Sequence, residues 1–460
     1  MKRLALLLLL PVLALAYYDV QWFDLNHWSS PVENWGPWGY DLTQSSGVAG
    51  GSWPQPLENF YVFCAGPWFG AILPSPSAET LCTVFYNPNS GGGEGDPTLC
   101  RYWRDGGGNM RDRIYKYPGD WPPSHSRFPM APLWRLSDMD MWCCFCDSNP
   151  DNHTPPGRPL GIDVYLTVYG FADSLAQDFF FLKYELANCL GDSIRHAYFG
   201  MMLDADIGNH ADDLTGLILD RLFQVGPDTI RVKNTGYAYD YDTVEVAGST
   251  WESGTPGIVA VMVLSTPDSL GLTAFKKFMW GADTMNDADQ YLSLAGYNYK
   301  TGAYEPYDSI DVSPGDKQVL LATGPFNLAP DSVLTFWYVI IASPCDLSEL
   351  ALRCKWAREY YDNRLAGVAE ETPSAEVRTT NGATIVRGVL YLPRDMTETR
   401  PGVSDRVPRP VLLDISGRKV LDLHSGANDV SRLSPGVYFV RQASGVERAA
   451  SSVTKVVLTE

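Results

Sequence analysis

Ile162-Asp163-Val164-Tyr165-Leu166-Thr167-Val168-Tyr169 alternates apolar and other side chains with a period of two, the pattern of a half-buried β-strand. Phe179 to Leu186 repeats the theme, and Ala197 to Leu203, Ile230 to Val232, Ile258 to Leu264, Val319 to Leu321 and Val333 to Ile341 add further short apolar runs. Between them stand turn signals: Gly191-Asp192, Asn234-Thr235-Gly236, Ser313-Pro314-Gly315-Asp316 and Pro330-Asp331. Many short strands at such intervals predict a mainly β protein, with an immunoglobulin-like β-sandwich over 161–366. One helix is expected to close this module over 346–362. Asp346 caps it, Glu349 follows three residues later, and Leu347, Leu350, Leu352, Trp356 and Tyr360 form its apolar stripe.

On the N-terminal side, residues 17–160 read as a loop-rich β region. Ten of the fourteen Trp lie between Trp22 and Trp142, and Gly91-Gly92-Gly93 and Gly106-Gly107-Gly108 mark loops. Such aromatic residues either fill the core of a loop-rich domain or stack on sugar rings, and the core reading is favoured. Further out, Met1-Lys2-Arg3, an apolar run from Leu4 to Leu15, and Ala14-Leu15-Ala16 have the layout of a secretory signal peptide over 1–16. The run is too short for a helix across ~30 Å of hydrocarbon, and no later segment is long enough. The expectations are therefore cleavage at Ala14-Leu15-Ala16, a mature chain starting at Tyr17, no transmembrane span, and a secreted or cell-surface location.

On the C-terminal side, 367–374 is a polar linker and 375–460 a small β-sandwich. Asp414-Ile415-Ser416-Gly417-Arg418-Lys419-Val420, Leu433-Ser434-Pro435-Gly436-Val437-Tyr438-Phe439-Val440-Arg441 and Lys455-Val456-Val457-Leu458 carry its pattern. This module resembles the type A sorting domain of the bacterial type IX secretion system. The Asn-Pro-rich opening usual in that family is replaced here by Thr380-Asn381-Gly382-Ala383-Thr384. The resemblance implies a module that the secretion machinery reads, through Gly417, Arg418, Lys419, Pro435, Gly436, Tyr438 and Lys455. Phe179 to Asn188, Tyr198 to Gly208 and Gly324 to Ser332 resemble β-modules of large exported bacterial proteins, most of them uncharacterised. That likeness implies architecture and location.

The net charge of −19 over 460 residues and a pI near 4.7 argue against nucleic acid as a partner. None of the six His begins an H-E-x-x-H site, and no nucleophile elbow, P-loop or Rossmann glycine pattern is present. Nine cysteines leave at least one thiol unpaired; Cys345 and Cys354 are close enough in sequence to pair, and Cys143, Cys144 and Cys146 read as buried or disulfide-bonded cysteines rather than metal ligands. Two acidic loops remain. Asp204, Asp206, Asn209, Asp212 and Asp213 crowd oxygen ligands into one turn, so Asp204, Asp206, Asp212 and Asp213 are the candidate calcium ligands. The other reading is a solvated acidic turn capping its own backbone. Asp147 to Asn152 offers the same choice more weakly. No other cofactor is expected. The sequence thus predicts a non-enzymatic exported structural or interaction protein, or alternatively a carbohydrate-binding protein or glycan hydrolase, with a cell-surface glycan or protein as partner.

Overall fold

The computed structural model describes residues 18–42, 48–73, 79–90, 92–100, 113–123, 130–154, 157–248 and 250–366. In the C-terminal part it describes 384–386, 389–392, 411–414, 418–424, 426–430, 432–434, 436–441 and 453–458. The expected signal peptide with Ala14 and Ala16, and the linker over 367–374, lie outside the described residues. The chain forms two compact units, Met1–Pro373 and Ser374–Glu460.

The protein is mainly β. Its first strands are short: β1 (Val20–Phe23), β2 (Ser30–Glu33), β3 (Tyr40–Asp41), β4 (Val48–Ala49) and β5 (Gly51–Ser52). Next come β6 (Phe60–Leu73), β7 (Glu79–Val84), the short β8 (Tyr115–Tyr117), β9 (Met139–Cys146), β10 (Ile162–Gly170), β11 (Phe179–Asn188) and β12 (Ile194–Ala205). Then come β13 (Asp213–Val225), β14 (Asp228–Asp240), β15 (Gly257–Ser265), β16 (Ala274–Met279), helix α1 (Asp287–Leu294), β17 (Lys317–Leu328), β18 (Val333–Pro344) and helix α2 (Leu347–Tyr360). Eight strands make one sheet in the order β13-β14-β15-β18-β11-β10-β9-β8. Six make the other, β16-β17-β12-β6-β5 with β7 paired to β6.

The two sheets face each other across one core. Phe180, Leu182 and Tyr184 of β11 meet Phe199, Met201 and Leu203 of β12 and Phe336 of β18 there, with the Phe199 and Phe336 rings 4.6 Å apart. Trp28 and Trp38 are wholly buried in the same core, as the core reading of the Trp-rich region expects. The expected boundary at residue 160 is corrected by the pairing. β6 runs beside β12, and β9 beside β10, so strands from both sides of 160 complete the same sheets.

Each sheet also has a covered outer face. On the eight-stranded sheet, α2 packs Leu350, Ala351, Cys354 and Ala357 over Phe179, Phe181 and Ile341. The Asp346 carboxylate caps α2 by accepting from the Ser348 and Glu349 amides. Trp356 is half-buried on that cluster, and a π-turn at Tyr361–Leu365 carries the helix past the expected stop at Asp362-Asn363. On the six-stranded sheet, α1 places Leu294 against Trp68, Met202 and Leu320. A reciprocal capping box between Asn286 and Asp289 starts it.

The second unit pairs β19 (Thr384–Val386), β21 (Val411–Asp414), β22 (Lys419–Asp422), β24 (Gly436–Arg441) and β25 (Val453–Leu458) in the order β19-β25-β24-β21-β22. β20 (Val389–Leu392) pairs with β23 (Gly426–Asp429). Leu412, Leu423, Val430 and Val440 form its core.

Candidate functional site

The four candidate calcium ligands do not converge on one point. Asp204 ends β12 and is buried beneath it. Its Oδ2 pairs with the Tyr86 hydroxyl and its Oδ1 accepts from Gln318 Nε2 at 2.9 Å. The same amide reaches Asp316 Oδ1 at 2.9 Å, which gathers Asp204, Asp206 and Asp316 into one group. Burial first, and then the neighbouring Asp206 charge, hold the Asp204 carboxyl well above the usual range. Burial and the Asp316 charge raise Asp206 to about 7. Gln318 thus bridges Asp204 and Asp316 by hydrogen bonds, and Asp206 joins them by proximity.

Asp212 and Asp213 belong elsewhere. Asp212 joins Asp240 and Asp242, with one oxygen of each lying within 4.8 Å of the others. Asp213 is fully buried and stands directly opposite Asp240 across the β13–β14 ladder. The correction to the expected set is physical. A local run of aspartates is shared out by strand geometry, and the residues that complete each group come from positions more than a loop away.

The Asp147 loop resolves as capping. Asp147 is fully buried, and its carboxylate accepts from the backbone amides of Leu160 (2.5 Å), Gly161 (3.0 Å) and Ile162 (2.9 Å) and from the Thr83 hydroxyl (2.9 Å). All nine cysteines are thiols, with Cys345 exposed and Cys354 buried in α2, so the suggested pairing of these two is absent. Cys143 faces the inter-sheet core, while Cys144 and Cys146 point to the opposite face of β9.

Of the sorting-motif residues, Gly417 and Pro435 lie outside the described residues. Arg418 is exposed and pairs with Asp414 at 3.2 Å, and Lys419 with Asp422 at 2.9 Å. Gly436 opens β24, the Tyr438 hydroxyl donates to the Ser434 carbonyl at 2.8 Å, and Lys455 lies in β25 opposite Phe439.

Two features were not singled out from the sequence. The first is a cleft of about 440 Å³ lined by Tyr18, Val20, Trp35, Leu42, Asn152 and the backbone of Gly92, Gly93 and Gly95. The Tyr18 and Trp35 rings meet edge to face at 6.2 Å. Gly93 must be glycine: a Cβ there would lie 2.2 Å from the Phe85 carbonyl oxygen and 2.8 Å from the Trp35 ring. The glycine cluster at 91–93 was the signal available, read only as a loop. The second is Glu33, at the end of β2 and wholly buried. Neither carboxyl oxygen makes a hydrogen bond of normal geometry. Burial and the Asp41 charge lift its pKa to about 8, against the pull of the Trp35 indole.

Fold and sites together define a class: a two-sheet β-sandwich body with an aromatic cleft at its N-terminal end, followed by a small second β-unit. No family model matches the chain, and no curated protein matches it. Among solved structures it is similar to a polysaccharide lyase, at 9% identity and a TM-score of 0.22, over 66% of this chain and 35% of that one. The chain thus spans about a third of that protein's length. Among the described residues, no helix is long and apolar enough to cross a membrane.

Proposed function

We propose that this is an exported, surface-acting carbohydrate-binding protein that holds a sugar ring in the Tyr18–Trp35 cleft. The cleft is the observation that carries the reading. The Tyr18 and Trp35 rings offer faces on which the C–H face of a sugar stacks, and the Asn152 amide, which donates to the Gly95 carbonyl at 3.2 Å, adds a polar group to the lining. Export supplies the setting: the signal-like residues 1–16 would leave Tyr18 as the second residue of the mature chain. The second unit is the address, read by a type IX-like machinery through the exposed Arg418 and Lys419 and the Tyr438 strand.

Binding is favoured over cleavage. Glu33, protonated at neutral pH beside Asp41, has the electrostatics of a general acid, but it is fully buried and has no access to a substrate. A glycan array on the full mature chain, followed by calorimetry on any hit, tests the proposal. Trp35→Ala should weaken a bound glycan at least about tenfold, the scale of one lost aromatic contact. A hit that survives both Trp35→Ala and Tyr18→Ala, or an array with no hits, would remove the cleft from consideration.

A further inference from the structure

We propose that Asp212, Asp240 and Asp242, with the buried Asp213 beside them, form a calcium site that ties together the loops at residues 206–213 and 240–245. This inference is independent of the glycan reading. Hydrogen bonding separates these carboxylates from the other acidic group. Asp204 has both oxygens engaged, by Tyr86 and by Gln318. In the second group, one oxygen on each of three carboxylates has no partner: Asp212 Oδ1, Asp213 Oδ1 and Asp240 Oδ2.

Asp240 is decisive because it is buried, belongs to the compact triad and keeps Oδ2 without a partner, while Asp213, also buried, stands just outside the triad. Directly opposite residues of an antiparallel ladder carry their side chains on the same face, about 4.5–5.5 Å apart at Cβ. The Asp213 side chain therefore stands on the same face of the ladder as that of Asp240. Its Oδ2 accepts from the Ile207 amide at 3.1 Å, which fixes the group and leaves Oδ1 over. In the same way Asp240 Oδ1 accepts from the Thr243 amide, and Asp242 Oδ1 from the Val244 amide at 2.9 Å. A buried carboxylate oxygen without a donor is costly, and several together repel one another. A hard dication removes both penalties.

The surrounding loops are already held in place. Gly208, at φ +66°, leaves the space that the Glu245 side chain fills, and Glu245 Oε1 accepts from the Asn209 amide at 2.6 Å. The unpartnered atoms here are all carboxylate oxygens, with His210 the imidazole near Asp212, and a flexible set of carboxylates with one exposed member suits calcium better than the strict octahedron of magnesium.

The test uses the full chain, stripped with a chelator and titrated separately with calcium chloride and magnesium chloride. Calorimetry and thermal unfolding are the readouts, with terbium luminescence sensitised by the neighbouring Tyr241 as a third. Calcium should bind with Kd at or below about 10⁻³ M and raise the melting temperature. Asp242→Asn, at an exposed position that cannot unsettle the core, should weaken binding at least about tenfold. Asp240→Asn should abolish it, and Asp204→Asn should leave it intact. The proposal is overturned if about 10 mM calcium gives neither heat nor a thermal shift. It is also overturned if magnesium binds and calcium does not compete, or if Asp242→Asn and Asp240→Asn bind calcium as the native chain does.

Discussion

Replacing Glu33 with glutamine should stabilise the protein, and only above mildly acidic pH. The side chain is wholly buried with no hydrogen bond of normal geometry, and its pKa moves from 4.5 to about 8. Between those values the folded state holds a proton that the unfolded state has released. Stability therefore falls as pH rises from 4.5 towards 8, and levels off above that. At about 1.4 kcal/mol per pKa unit, the cost reaches about 3 kcal/mol at pH 7 and about 5 kcal/mol above pH 8. Glutamine keeps the shape and the neutral charge of the protonated acid, so it lacks this cost. Urea unfolding of the native chain and Glu33→Gln at intervals from pH 4.5 to 9, in a fixed excess of chelator, measures the difference directly. Other titrating groups are common to both and cancel. The two should agree at pH 4.5, and the glutamine variant should lead increasingly up to pH 8. A difference that stays at zero across this range would show that Glu33 is ionised and solvated in the folded protein, and the buried-acid argument would fail.

Leu350→Ala, under α2, should cost about 2–5 kcal/mol in chemical unfolding, the range for a large side chain removed from a closed core. Asp147→Ala leaves the Leu160, Gly161 and Ile162 amides and the Thr83 hydroxyl without their acceptor, and should cost at least about 3 kcal/mol by the same assay. A thiol reagent added to native protein should modify Cys345 quickly, Cys189 slowly and the buried cysteines only on unfolding, as peptide mapping would show. Deletion of 374–460 should leave the first unit folded, as judged by an unchanged melting transition, while preventing its arrival at the surface of a host with type IX secretion.

The strands were legible because their short apolar runs are bounded by turn residues, but the alternation misled about exposure. Ile162–Gly170 reads as half-buried, yet every residue of β10 is buried, including Asp163 and Thr167. A strand in the middle of an eight-stranded sheet has neighbours over both faces, and polar residues on it are accommodated inside the protein. The same holds for β11, where Lys183 and Glu185 pair at 3.2 Å beneath the surface. Helix α2 was visible from its Asp346 cap and stripe. Helix α1 was not read, although Asn286 and Asp289 spell its capping box, because it has only eight residues and a weak apolar stripe. At the acidic loop, the spacing of Asp204, Asp206, Asp212 and Asp213 announced a cluster, but not its division. Asp240, Asp242 and Asp316 are brought in by pairing across the sheets, and local spacing carries no record of that.

The place of β18 has a consequence for how the chain folds. It lies between β11 and β15 in the middle of the larger sheet, yet it is the last strand of its unit to be made. Until residue 344 has emerged, that sheet exists only as two fragments, each with an open hydrogen-bonding edge. Joining them requires contacts between segments far apart in sequence, which slows folding and prolongs the exposure of those edges. A chain emerging from its N-terminus can therefore pair the strands of each fragment but cannot join the two fragments early. The gap between β15 and β11 stays open until β18 arrives, and truncated products ending before that strand should aggregate rather than fold.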